Sequence, residues 1–197
     1  GFHWQSRPWE EPRRIGDLPP VSEIDGSNDE WCALTATGEV WCWEDQFRYA
    51  ADAQAPTPIE LPGPATSVAV GPHRGCALVA GDAWCWERVY GMRPAGRGQP
   101  VHTDLGSAAV DVAVGESHMC AILADQSTRC WGTNSSGELG DGHGQKAFDR
   151  SDDPVTPVGL GPAVAVALGS YDSCVVLAEG TVSCWGNHPA LPPGSMP

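Results

Sequence analysis

The sequence predicts an all-β protein built from four tandem blade-like sheets, and three observations carry that expectation. Cysteine pairs recur at Cys32 and Cys42, Cys76 and Cys85, Cys120 and Cys130, and Cys174 and Cys184, with first members 44, 44 and 54 residues apart; self-similarity at about 40–50 residues is typical of propeller blades or solenoid units. Every second cysteine is followed at once by a tryptophan: Trp43, Trp86, Trp131 and Trp185. With 24 Gly and 18 Pro among 197 residues, no stretch sustains the 3.6-residue periodicity that helical repeats require.

Each repeat opens on a short run of alternating small apolar residues ending in glycine, at 21–26, 67–71, 110–115 and 164–169. Period-two alternation predicts a half-buried strand, and small side chains suit a crowded position near a central axis. The cysteine-bracketed hairpin follows. In CVVLAEGTVSC the cysteines lie symmetrically about Glu179, so a three-residue loop of Ala178, Glu179 and Gly180 places them opposite one another, with Gly180 at the left-handed position. The first repeat does the same about Thr37, with Gly38 in that role. The second is one residue shorter and centres between Ala80 and Gly81, as a two-residue loop would, so the deletion stays in the turn. The third has Gln126 where the first and last have glycine. A Pro-led segment then supplies a fourth strand, at 56–61, 100–105 and 154–160.

Directly opposed residues of an antiparallel pair have Cα atoms about 4.5–5.5 Å apart, inside the range a disulfide bridges. One cross-strand disulfide per blade is the expectation. Each loop of about ten residues contributes roughly 2.7 kcal/mol in the chain-entropy account, and buried free thiols are the alternative. A zinc site is disfavoured, because eight or nine residues separate the cysteines and no histidine stands at a fixed offset.

Composition narrows function. A formal charge of −14, with 11 basic residues against 25 acids, argues against nucleic acid and fits a basic partner or simple solubility. Eight paired cysteines point to an oxidising compartment: secreted, periplasmic or cell-surface. No run of 18 apolar residues predicts a membrane span.

The string GESHMCAILADQSTRCWGTNSSGELGDG (115–142), followed by PVTPVGLGPAVAVALG (154–169), resembles the repeat of the regulator of chromosome condensation (RCC1) family, particularly secreted bacterial members with paired cysteines. The likeness runs along the whole chain. It is weaker in the first two repeats, where Glu44 and Glu87 replace the glycines seen at Gly132 and Gly186. The resemblance implies a β-propeller, normally of seven blades; here there are four, approximately 19–61, 62–105, 106–160 and 161–197, in a single domain of residues 1–197. The last repeat lacks its Pro-led strand, and PRRIGDL (12–18) resembles it, so an N-terminal strand is expected to complete the last blade. Closure within one chain is favoured over strand exchange between two.

Candidate functional residues are few. Trp41 and Trp84 occupy positions that hold Arg129 and Ser183 in later repeats, and with Trp31 they form a candidate aromatic patch for a protein or sugar. Glu44 and Glu87 are the carboxylates a carbohydrate-binding or hydrolytic propeller would need beside them. Ordinary packing competes for the tryptophans, and His118 is expected to brace a loop. No nucleophile elbow, phosphate loop or HExxH is present. The reading is a non-enzymatic protein-binding module, a scaffold or inhibitor, with no cofactor or metal. Its alternatives are the carbohydrate propeller and a structural surface protein.

Overall fold

A computed structural model describes residues 15, 17–27, 30–44, 55–89, 96–143 and 149–187, and all its regular structure there is β. The first sheet runs β1 (Val21–Gly26), β2 (Glu30–Thr35), β3 (Val40–Glu44) and β4 (Thr57–Ile59) from its inner to its outer edge. The second runs β5 (Ala65–Val70), β6 (Arg74–Val79) and β7 (Asp82–Val89), with β8 (Gly96–Arg97) and β9 (Val101–Thr103) both paired to β7. The third comprises β10 (Ala109–Val114), β11 (His118–Leu123), β12 (Thr128–Thr133) and β13 (Arg150–Val155); the fourth comprises β14 (Ala163–Leu168), β15 (Asp172–Leu177) and β16 (Val182–Gly186). Every pairing is antiparallel and joins chain neighbours in sequence order, apart from the doubled partner of β7. No helix is long and apolar enough to cross a membrane among the described residues.

The hairpin registers follow the cysteine arithmetic. Cys32 faces Cys42, Cys76 faces Cys85, Cys120 faces Cys130 and Cys174 faces Cys184, each pair disulfide-bonded with Cα atoms 4.0–4.1 Å apart. That close approach matches the narrow, non-hydrogen-bonded class of antiparallel pair. Gly38, Gly81 and Gly180 take left-handed backbone angles, and Gln126 takes the same conformation at φ 67°. The outer strand of the third sheet lies upstream of its expected span, at Arg150–Val155 rather than 154–160. Pairing of Cys130 with Val155 still preserves the pattern of Cys42 with Thr57 and Cys85 with Val101, so the Pro-led anchor is common and only the upstream extension differs.

Alternation then decides which face meets which neighbour. At each junction the disulfide of one hairpin faces the following sheet, and the tryptophan of the next hairpin faces back towards it. Cys32, Leu34, Val40 and Cys42 of the first sheet pack with Val68, Val70, Ala77 and Trp86 of the second. Cys76, Leu78 and Ala83 meet Val112, Met119, Ala121 and Trp131 of the third. Cys120, Ile122 and Cys130 meet Val175 and Trp185 of the fourth, with Leu139 filling the gap. The core is thus three sandwich-like layers between four sheets rather than one central mass.

A second link repeats at every junction. The carbonyl of the left-handed turn residue accepts the N–H that opens the next sheet: Gly38 from Ala65 at 2.8 Å, Gly81 from Ala109 at 2.8 Å and Gln126 from Ala163 at 2.9 Å. Among the described residues the first and fourth sheets share no junction of this kind, and the faces that would meet there leave Ile24, Val176 and Val182 exposed, so the described sheets form an open arc. The expected N-terminal latch lies mostly outside the described residues; Ile15, Asp17 and Leu18 belong to no strand, and the fourth sheet has three strands among the residues described.

Candidate functional site

The inner strands β1, β5, β10 and β14 line an axial channel of about 420 Å³. Its carboxylates are engaged in holding adjacent sheets. Asp25 accepts the Val70 N–H at 2.7 Å, Asp111 accepts those of Val112 at 3.0 Å and Val166 at 3.2 Å, and Glu23 accepts the Ser67 hydroxyl at 3.3 Å. Each is a charge-assisted bond that ties one blade's inner strand to its neighbour or itself.

At the opposite edge of each hairpin, one register position repeats as Glu30, Arg74, His118 and Asp172. The first member is Glu30, directly after residues 28–29, which lie outside the described residues. Glu30 is buried and meets the Arg97 guanidinium, whose other nitrogen donates to Thr57 Oγ1 at 2.7 Å, so a residue of the second sheet clamps the first. Arg74 donates to Glu87 at 2.9 Å. His118 is buried, with Nε2 2.9 Å from Ser173 Oγ; that hydroxyl donates to the Glu138 carbonyl, which also accepts Trp185 Nε1 at 2.7 Å. These residues brace the junction of the third and fourth sheets. Burial pushes the His118 pKa down to about 4, against a weaker upward pull from the Asp172 carbonyl and carboxylate. Burial raises that of Glu138, opposed by backbone N–H donors that include Ser136.

The sequence-predicted residues do not converge. Trp41 and Trp31 lie on the face of the first sheet that points away from the second, alongside Trp43, with Trp31 directly opposite Trp43 in register. Trp84 instead packs into the junction between the first and second sheets, its ring 5.2 Å from that of His102. The whole first sheet therefore stands between Trp84 and the other two. Equivalent repeat positions face the same way on their own blade, and that separates them. Glu87 is paired with Arg74, and of Glu44 only the backbone is described, opposite Glu30. The grouping closest to a metal-ligand set among the described residues, Glu30 with Cys32 and Cys42, has both sulfurs tied up in a disulfide.

A feature that sequence reading missed is the charge at the turn end of the arc. Glu39, Glu60, Asp104, Asp125 and Glu179 are all exposed there, in the hairpin turns or in the linkers that lead to the next sheet. The only signal was the net charge; turn geometry is what gathers these acids at one end. Three of the arginines with described side chains are held elsewhere, Arg74 by Glu87, Arg97 by Glu30 and Arg150 by Asp152, while Arg129 reaches the Thr128 carbonyl and lies near enough to Asp125 to favour its charged form.

Comparison with known proteins agrees with this geometry. The profile of the regulator of chromosome condensation (RCC1) repeat matches residues 109–138, which comprise β10, β11, β12 and the start of the loop that follows. No curated protein matches the sequence. Among solved structures, yeast RCC1 (Prp20), crystallised bound to Kap60, superposes with a TM-score of 0.67 at 17% identity, over 90% of this chain and 46% of that one. Human WBSCR16 gives 0.60 at 18% identity, over 76% and 42%. The ectodomain of the Physcomitrella patens receptor kinase CR4 gives 0.59 at 22% identity, over 88% and 42%. At these identities the likeness is one of fold: four RCC1-type propeller blades, spanning less than half the length of each of those three chains.

Proposed function

We propose that the protein is a non-enzymatic protein-binding propeller module of an oxidising compartment, secreted, periplasmic or on a cell surface, that presents its turn end to a basic partner. The observation that carries this reading is the exposed acid series Glu39, Glu60, Asp104, Asp125 and Glu179 on a chain of net charge −14. Rigid sheets hold these loops at fixed spacing, and loops on a rigid scaffold are where binding surfaces concentrate. Clustered charge of one sign also steers a partner of the opposite sign. Yeast RCC1 was crystallised with Kap60, and Prp20p was studied for its binding to Gsp1p and histones; those are properties of those proteins, and here they support only the use of the scaffold for protein contact. Four disulfides are compatible with an extracellular setting.

The test compares partner capture by the wild type and by a variant carrying Glu39→Lys, Asp104→Lys, Asp125→Lys and Glu179→Lys, with captured proteins identified after cross-linking. Basic partners should be lost from the variant. They should also be lost from the wild type between about 0.1 M and 1 M salt, as the Debye length falls from about 10 to 3 Å. Recovery of the same partners by the variant refutes the acidic face as the binding surface.

A further inference from the structure

The two ends of the arc carry complementary faces, each equivalent to a surface that the internal junctions bury. On the fourth sheet, the disulfide face continues into Val176 and Val182, which are 37% and 65% exposed, whereas their counterparts Leu34 and Val40 in the first sheet are 4% and 0%. On the first sheet, the tryptophan face presents Ile24 at 57% and Trp31 at 38%, whereas Val68 and Val112, in the register position of Ile24, are at 2% and 5%. The turn link also stops there. Gly180 holds the same left-handed angle as Gly38, yet no N–H among the described residues reaches its carbonyl. One end therefore offers half of a junction and the other end offers the other half.

We propose that these faces are covered by a second copy of this chain, docked head to tail. The fourth sheet of each copy packs its Cys174–Cys184 face against the exposed Ile24 and Trp31 of its partner, beside the already buried Trp43, giving two identical junctions and one closed ring of eight sheets. The internal junctions are the template, since each sets a disulfide and its flanking aliphatics against the tryptophan face of the next sheet. Length is compatible as well: one copy spans 42–46% of the RCC1-type chains it superposes on, so two copies together approach the length of one such chain. Head-to-tail association closes only when the rotation per copy divides the circle, so closure with two requires each copy to turn through half of it.

The experiment is a solution mass by light scattering on the disulfide-intact chain, with Ile24→Glu and Val182→Glu variants. The wild type should give twice the chain mass of 20.8 kDa. Each variant should give the single-chain mass with its circular dichroism and four disulfides unchanged, because both residues are exposed within one copy; Ile24→Ser and Val182→Ser replace any variant that fails this check. Mixing the two variants should restore a two-chain species, since the intact fourth-sheet face of one then meets the intact first-sheet face of the other. A wild type at the single-chain mass, a larger species indifferent to both substitutions, or a mixture that stays dissociated would overturn the proposal.

Discussion

Single residues at the sheet junctions set how the molecule responds to pH. His118 carries a folded pKa of about 4 because burial penalises its charged form, against 6.5 when unfolded. A base with a depressed folded pKa contributes fully above pH 6.5, and that contribution is lost as pH falls towards 4, by about 3 kcal/mol at the limit. Glu138 acts in the opposite direction: its folded pKa is raised, so acidification relieves the cost of its buried charge. Unfolding midpoints in urea should therefore fall between pH 6.5 and 4 in the wild type, with the slope reduced in His118→Gln; an unchanged slope would show that other groups govern it. Of this network the sequence made the histidine visible through its place in the repeat. Its hydroxyl partner Ser173 and the Glu138 carbonyl come from elsewhere in the chain, and nothing in local pattern marks a carbonyl as an acceptor.

Hairpins are the element in which sequence and structure agree most closely. Symmetry of the cysteines about the turn fixes the register, and a one-residue slip would turn the sulfurs to opposite faces. The turn itself tolerates different residues at a cost. Gln126 occupies a left-handed conformation at φ 67°, which is disfavoured for a side chain by about 1–2 kcal/mol, while glycine there gives back about 0.5–1 kcal/mol in chain entropy. Gln126→Gly should stabilise the protein by about 0.5–1 kcal/mol in denaturant titration, and a loss of stability would mean that contacts of the Gln126 side chain outweigh the strain. Hydrogen bonds from the Ser127 N–H and hydroxyl to Asp125 hold the same turn, and these a serine two residues after an aspartate does announce. The aromatic grouping was less legible, because Trp41 and Trp84 match in repeat position and yet sit on either side of an intervening sheet.

At the scale of the whole molecule, stability is distributed as in any linear stack, where each unit depends mainly on its neighbours. The second and third sheets are covered on both faces, whereas the first and fourth are each covered by a neighbouring sheet on one. Hydrogen exchange on a chain held at the single-chain mass should protect β6 and β11 longest and release β15 and β16 early; uniform protection across all four sheets would contradict the stacked account. The repeat period revealed the number of sheets and their order, but whether an arc meets itself depends on the angle between successive sheets, which no single repeat encodes. The facing of the sulfurs has a final consequence for biogenesis. Because Cys32–Cys42 is sealed by the tryptophan of the second hairpin, Cys76–Cys85 by that of the third and Cys120–Cys130 by that of the fourth, each bond becomes inaccessible to oxidoreductases only when the block after it has docked. A chain emerging from its N-terminus thus locks its bonds in order of synthesis, and Cys174–Cys184 stays open to thiol exchange the longest.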